Sequence, residues 1–139
     1  MVVQPYLYFY GRCEEALAFY EQALGAKVTF KMRNNEAPAE YAVEGEAGER
    51  IMHASFKVGQ TTLMATDGMP GHTAAPNYSG FSISLSLDNV GKGERIFNAL
   101  AQDGQVRFPW QPTFWAKGFG MVTDKFGVPW MVNVENTEP

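Results

Sequence analysis

The sequence has little cysteine, no clustered positive charge and no long hydrophobic run. Its single cysteine, Cys13, excludes an intrachain disulfide and a zinc site built from several cysteines. The 11 Lys and Arg residues stand singly in a chain that carries 15 Asp and Glu and a formal net charge of −4, which argues against a surface for nucleic acid. No apolar run approaches the ~20 residues that a membrane span needs. We therefore expect neither a nucleic-acid partner nor a membrane partner.

A secretion signal is also missing from the first residues, MVVQPYLYFYGR, which lack a basic region before an apolar segment and a small-residue cleavage site. The protein is therefore expected to be cytoplasmic. With 139 residues, 45% of them hydrophobic and 19% charged, the chain is expected to form one domain that buries a core without disulfides. Cys13 is interpreted as a small packing residue at the start of a helix.

The sequence is rich in aromatic residues near its C-terminus, over residues 110–134. All three tryptophans lie in this stretch, with phenylalanines between them and glycines that allow close backbone approach. Thr123 to Gly127 has the Asp and Gly of a turn, between two flanks that favour strands. These features predict the closing hairpin of a sheet that cups something apolar.

The first half of the chain predicts a strand, a helix and three further strands. Apolar residues recur at helical spacing from Cys13 to Leu24, two glutamates favour the helix start, and Gly25 favours its end. Residues 34–50 are rich in glutamate and weakly periodic, which predicts an exposed loop or, less favoured, a lid. The predicted elements are strand 6–10, helix 12–24, strand 27–32, and strands 51–58 and 61–66 joined by Gly59-Gln60 as a type II′ hairpin.

The second half repeats this order after a linker at residues 68–79. Asp88 is predicted to cap a helix that Gly104 ends. Strands are predicted at 81–87, 105–108, 115–123 and 128–134. The chain is therefore predicted to be an α+β protein with two tandem βαβββ modules, at about 3–67 and 80–135, because one half sheet with one helix cannot cover its other face.

Several motifs resemble a known family. The segment FYEQALGA, residues 19–26, is similar to the FYxxxLG segment of the vicinal oxygen chelate superfamily, which includes glyoxalase I, extradiol dioxygenases and bleomycin-resistance proteins. The runs 5–7, 67–70, 110–111, 113–120 and 123–130 resemble the PhnB branch of that superfamily. The resemblance implies a half-open mixed β-barrel with the helices outside, a site on the concave face, and a homodimer.

The resemblance also implies where a metal ion would be held. Relatives that depend on a metal use His, Gln or Glu on the first and fourth strands of each module. The matching positions here are Gln4, Met64, Ser82 and Met131. One amide, one hydroxyl and two thioethers carry no charge, so we expect no tightly bound metal and no cofactor, and we interpret the methionines as lining of an apolar pocket.

The other ionisable residues leave alternatives open. His53 is interpreted as a structural histidine rather than a general base, and His72 as an exposed linker residue that the pocket mouth could still recruit. Asp67 is interpreted as a turn residue before Gly68, with replacement of a missing metal carboxylate as the alternative. Lys117 is either a surface lysine or the counter-charge of an anionic ligand.

Three functions follow from this reading. The first is a small-molecule-binding PhnB-like protein without a tightly bound metal, whose reaction, if any, is unknown. The second is a metal-dependent lyase or isomerase of the glyoxalase type, and the third is a drug-sequestering protein of the resistance type. The residues predicted to line the pocket are Gln4, Tyr6, Tyr8, Met64, Ser82, Ser84, Trp110, Trp115, Met131 and Asn133.

Overall fold

The computed structural model describes residues 1–69 and 77–136, and the chain divides into two compact units, 1–76 and 77–139. The N-terminal unit contains β1 (Tyr6–Tyr8), α1 (Cys13–Leu24), β2 (Lys27–Arg33), a 3₁₀ turn (Asn34–Glu36), α2 (Glu46–Glu49), β3 (Ile51–Val58) and β4 (Thr61–Thr66). The C-terminal unit contains β5 (Ile83–Leu87), α3 (Val90–Ala101), β6 (Gln105–Gln111), β7 (Ala116–Thr123) and β8 (Pro129–Glu135). None of the helices in the described ranges is long and apolar enough to cross a membrane.

Each unit has one four-stranded mixed sheet of the same topology. The strand orders are β1-β4-β3-β2 and β5-β8-β7-β6. The first strand of each unit pairs in parallel with the fourth, and the remaining neighbours are antiparallel. The predicted α+β fold with repeated βαβββ order is confirmed.

The first helix packs on its sheet through one apolar stripe. Its buried residues are Cys13, Ala16, Leu17 and Tyr20, as the spacing predicts. The ring of Tyr20 stacks on Phe56 of β3 with centroids 5.8 Å apart and also contacts Phe9 at 6.2 Å. Burying each of these rings contributes about 1.5–3 kcal/mol, so this cluster is a main source of stability in the N-terminal unit.

The first helix ends at the predicted glycine, whereas the third helix is bounded differently from expectation. Gly25 has a left-handed φ of 68° and closes α1. At α3 the cap is Asn89 and not Asp88, because the Asn89 side chain accepts from the Lys92 N–H at 2.8 Å. This helix ends at Ala101, and the left-handed turn that follows is made by Asp103, with a φ of 57°.

Two further predictions need adjustment. The first strand stops at Tyr8 and does not reach Tyr10, because Tyr10 has a left-handed φ of 47° that takes the chain out of the sheet. The loop 34–50 is not irregular throughout, since it contains the 3₁₀ turn and α2, and the buried Asn34 side chain donates to the Ala47 carbonyl at 2.8 Å.

The hairpin at Gly59-Gln60 has the predicted positive φ, 57°, at Gly59.

Close packing of α3 on β7 depends on glycine. A Cβ atom at Gly118 would lie 2.4 Å from the Trp110 ring, and one at Gly120 would lie 2.5 Å from the Phe97 ring. Both distances are shorter than any real carbon contact, so the rings rest directly on the strand backbone. Glycine is therefore required at these two positions by close approach.

Two buried carboxylates fix the strand ends. Asp67, which follows β4, accepts at Oδ1 from the N–H groups of Gly11 (2.7 Å) and Cys13 (2.9 Å), and at Oδ2 from that of Ile51 (2.8 Å). It therefore joins the start of α1 to the start of β3, which corrects its interpretation as a simple turn residue. Asp124 has the same role in the predicted β7–β8 turn, where it accepts from Phe126 N–H at 2.8 Å and Val128 N–H at 3.0 Å, and from Trp130 Nε1 at 2.9 Å.

Cys13 is a packing residue, with no exposed surface. Burial, followed by the charges of Asp67 and Glu14, raises the pKa of its thiol far above the ordinary value. The thiol therefore stays protonated at neutral pH and is a poor nucleophile in the folded chain.

We expect Asp67→Asn to lower the free energy of unfolding by about 3 kcal/mol, because the amide replaces one accepting oxygen by a donor and leaves a buried N–H without a partner. Urea unfolding followed by circular dichroism measures this change. The matched control is Asp88→Asn, an exposed aspartate that caps no helix, for which we expect a change within about 0.5 kcal/mol. Equal unfolding midpoints for the two variants would contradict the anchoring role of Asp67.

Candidate functional site

Each sheet contacts its own helix on one face only. Along β3, Ala54 and Phe56 are buried on the side of α1, and along β8, Val132 and Val134 are buried on the side of α3. The alternate residues of these strands point the other way. We call this second side the helix-free face of each unit. Its large and polar side chains are not needed for helix packing.

The helix-free face of the N-terminal unit holds a connected polar and aromatic cluster. The hydroxyl of Tyr6 lies 2.8 Å from His53 Nδ1, and His53 Nε2 lies 3.3 Å from Ser55 Oγ. The rings of Tyr8 and Phe30 flank this chain: Tyr8 is 5.5 Å from Tyr6, and Phe30 is 5.9 Å from His53, between centroids. The side chains of Tyr6, Tyr8 and Phe30 are each about half exposed.

Tyr6 is neutral in this cluster. Partial burial, with the charges of Tyr8 and Cys13 as smaller causes, raises the pKa of its phenol above the ordinary value. The phenol therefore keeps its proton at neutral pH. It is available as a hydrogen-bond donor.

The helix-free face of the C-terminal unit is made of rows of paired residues. By register, Ser84 stands beside Met131, which stands beside Met121. The next row contains Ser86, Asn133 and Phe119. The face therefore combines two thioethers, two hydroxyls, one amide and one aromatic ring.

Aromatic rings extend this face towards the start of β7. Trp115 contacts Phe119 edge to face with centroids 5.3 Å apart, and Phe114 contacts Trp115 in the same way at 4.8 Å. Phe108 contacts Phe119 at 5.5 Å. Phe114 is 92% exposed and Trp115 is 46% exposed, which is unusual for such large apolar groups.

Asn133 has an unsatisfied acceptor in this surrounding. Its Oδ1 atom is buried and accepts no hydrogen bond from the described residues. A buried polar atom without a partner costs about 1–3 kcal/mol, so such an atom needs a physical explanation. A donor supplied from outside the chain would remove this cost.

A cleft with a cavity volume of about 460 Å³ opens at the polar end of the same face. Charged side chains at its wall are Lys117, Asp88 and Glu135, and no ion pair joins them among the residues that the structure describes. Ser86 also lines the cleft. Lys117 is thus positioned beside a cavity but faces two carboxylates, which do not favour a purely anionic ligand.

A smaller polar cleft of about 230 Å³ lies in the N-terminal unit between α1 and α2. Its charges are largely engaged with one another: Glu14 pairs with Lys31 at 3.0 Å and with Arg33, and Arg33 also donates to the Glu49 carbonyl at 2.7 Å. These bonds to Lys31 and Arg33 lower the pKa of Glu14. We interpret this cleft as an ion-pair network that fixes the 34–50 segment.

The residues at the inferred metal positions do not suit a divalent ion. Met64 pairs with Tyr6 and Met131 with Ser84, so Gln4 and Ser82 each lie two residues before the strand neighbour of the methionine. In the described ranges no group of three or more His, Cys, Asp or Glu side chains is close enough to hold a metal ion. Asp67 is engaged by three backbone N–H groups and His53 by Tyr6 and Ser55, while His72 lies outside the described residues.

Most of the predicted pocket residues belong to the helix-free faces, and one does not. Trp110 packs against Phe97 of α3, with centroids 5.8 Å apart, and against the backbone of Gly118. It therefore contributes to the helix-side core. Phe30, Ser55, Ser86, Phe119 and Met121 share the helix-free faces but were not predicted, although period-2 alternation from predicted neighbours finds most of them.

The chain matches a family model and several known proteins. The model of the Glyoxalase/Bleomycin resistance protein/Dioxygenase superfamily matches residues 3–132. Protein YjdN of Escherichia coli (strain K12) is 42% identical over 147 residues, which cover 100% of this chain and 99% of YjdN.

Two solved structures have a similar fold. Protein PA1353 from Pseudomonas aeruginosa is 43% identical, with a TM-score of 0.85 over 97% of this chain and 98% of that one. A PhnB protein from Bacillus cereus, named as a candidate 3-demethylubiquinone-9 3-methyltransferase, is 24% identical with a TM-score of 0.78 over 96% and 99% of the two chains. Its fold agrees with the PhnB-like resemblance of the motifs. The family match over residues 3–132 and the repeated βαβββ topology together show that the chain belongs to the Glyoxalase/Bleomycin resistance protein/Dioxygenase superfamily.

Proposed function

We propose that this is a cytoplasmic, PhnB-like protein that binds a small molecule on the helix-free face of its C-terminal unit. The observation that carries the proposal is the buried, unsatisfied Oδ1 atom of Asn133. Phe119 is the strand neighbour of Asn133, Trp115 packs against Phe119, and Met131 lies two residues away on the same face, so the residue is next to apolar surface. Apolar walls with a few polar groups are typical of small-molecule sites.

The surroundings of Asn133 define the chemistry of the ligand. The oxygen of its amide requires a hydrogen-bond donor, such as an N–H or O–H group. The edge-to-face ring cluster favours an aromatic or amphipathic body beside that donor. We therefore propose a partly aromatic ligand that carries at least one donor.

The ligand proposal predicts that benzamide binds this face about fivefold more tightly than methyl benzoate, because only benzamide has an N–H group for Asn133 Oδ1. The shifts of ¹⁵N-labelled amides in residues 116–135 measure both affinities. The variant Asn133→Leu should abolish the preference, whereas the exposed helix variant Asn98→Ala should keep it. A preference that survives in Asn133→Leu would refute the assignment of this atom.

We also propose that no metal is tightly bound, because the inferred ligand positions offer only amide, hydroxyl and thioether donors. Elemental analysis of protein purified without chelator should find Ni, Zn, Mn and Fe each well below one atom per chain. Stoichiometric metal would instead favour the glyoxalase-type lyase or isomerase. The drug-sequestering alternative predicts tight binding of cationic aromatic drugs in place of the benzamide preference.

A homodimer is the final part of the proposal. Phe114 is 92% exposed and Val106 on the edge strand β6 is 45% exposed, and a second copy would bury such groups. Light scattering at micromolar concentration should give twice the chain mass of 15.4 kDa. A mass of one chain across the concentration range would count against pairing.

A further inference from the structure

Residues 34–50 form a compact loop whose two ends meet. The N–H of Asn34 donates to the Arg50 carbonyl at 3.0 Å, so the loop leaves the sheet and returns to it at one point. Inside the loop, α2 packs on the 3₁₀ turn, and a Cβ atom at Gly48 would lie only 2.1 Å from the Val43 carbonyl oxygen. A loop with joined ends and its own internal packing can open as one cooperative unit while the sheet stays folded.

One arginine joins this loop to the neighbouring helix. Arg33, the last residue of β2, donates from Nη1 to the Glu49 carbonyl at the end of α2, at 2.7 Å, and from Nη2 to the Glu14 carboxylate on α1. Lys31 donates to the same Glu14 oxygen at 3.0 Å, but in the described ranges it makes no bond to the loop. Loss of Arg33 therefore detaches the loop from α1, whereas loss of Lys31 does not.

The cleft of about 230 Å³ under the loop contains more negative than positive charge. The charged residues at its wall are the carboxylates of Glu14, Glu46, Glu49 and Asp67 and the guanidinium groups of Arg33 and Arg50. Two of the carboxylates belong to the loop, and neither forms an ion pair with any residue that the structure describes. Repulsion between the carboxylates of the two walls favours opening of the cleft, and the two arginines oppose it.

We propose that residues 34–50 are a lid, that Arg33 is the residue that keeps the lid closed, and that opening lets water reach Asp67. Ile51 is the first residue after the lid, and its N–H donates to Asp67 Oδ2 at 2.8 Å. On the other side of the cleft, the Arg50 guanidinium lies against Gly11, whose N–H donates to Asp67 Oδ1. The lid thus covers the carboxylate that joins α1 to β3. It uses none of the residues assigned to the ligand site, so the two proposals can fail separately.

Amide hydrogen exchange of the intact protein at neutral pH measures the opening. The amides of Asn34, Gly48 and Ile51 should have similar protection factors, lower than those of amides in the middle of β3 and β4. In Arg33→Leu these three protection factors should fall about fivefold or more, because the lid loses a hydrogen bond from a charged donor. Arg33→Lys, which cannot reach both partners with one ammonium group, should lower them in the same direction.

Two further variants separate the lid from a general loss of stability. Lys31→Leu loses the same Glu14 partner and should change the protection of the lid by less than about twofold, since a half-exposed ion pair contributes little. Glu46→Gln removes a lid carboxylate from the cleft and should raise the protection. The proposal would be overturned by an equal fall in β3, β4 and the lid in Arg33→Leu, by an unchanged lid in that variant, or by reduced protection in Glu46→Gln.

Discussion

The fold depends on two buried carboxylates that bind backbone N–H groups at the ends of strands. Asp67 joins the starts of α1 and β3, and Asp124 holds the β7–β8 turn and the Trp130 indole. A hydrogen bond to a charged acceptor in the protein interior is stronger than one to a neutral acceptor. A buried charge that lacks donors is also costly. Both units therefore share one feature: a buried carboxylate, hydrogen-bonded mostly to backbone N–H groups, fixes where strands begin or turn.

Because these carboxylates lie at strand ends and the helices pack on one side of each sheet, the helix-free faces can be chemically varied. Helix packing uses one side of each sheet, through Tyr20 and Phe56 in one unit and Phe97 and Trp110 in the other. The ionisable residues that hold the fold are placed at strand ends. The opposite side of each sheet is free to carry tyrosine, histidine, serine, methionine and asparagine, none of which the core requires.

The sequence alone predicts the elements well, because period-2 and helical spacings are strong along most of the chain. Strands 51–58 and 61–66 agree with the structure at every boundary, and the helix-free side of Met64 and Met131 is correct. The errors are local. Asn89 replaces Asp88 as the cap because two adjacent residues had equivalent side chains, and only the backbone geometry chooses between them.

The site residues were harder to predict than the strands and helices, because their roles depend on contacts between residues distant in sequence. Trp110 looked like a pocket residue because it belongs to the aromatic stretch, but Gly118 of the neighbouring strand and Gly93 of α3 leave the space that its ring fills on the helix side. The Tyr6–His53–Ser55 chain joins residues up to 49 positions apart, and no local pattern reports that pairing. Whether Asn133 Oδ1 has a hydrogen-bond partner among the described residues depends on the folded surroundings, and the residue type alone does not predict it.

Strand β7 alternates Gly118, Phe119, Gly120 and Met121, so the whole of its side-chain volume over this stretch lies on one side. Phe97 of α3 rests on the main chain of Gly120 and Trp110 of β6 rests on that of Gly118, so neither ring depends on the side chains between the glycines. Phe119 and Met121 therefore lie on the side of the sheet opposite to α3 and make no part of the contact between Gly120 and Phe97. If the proposed ligand contacts these two side chains, substitutions there would alter its affinity while the glycines beneath them keep the packing of α3.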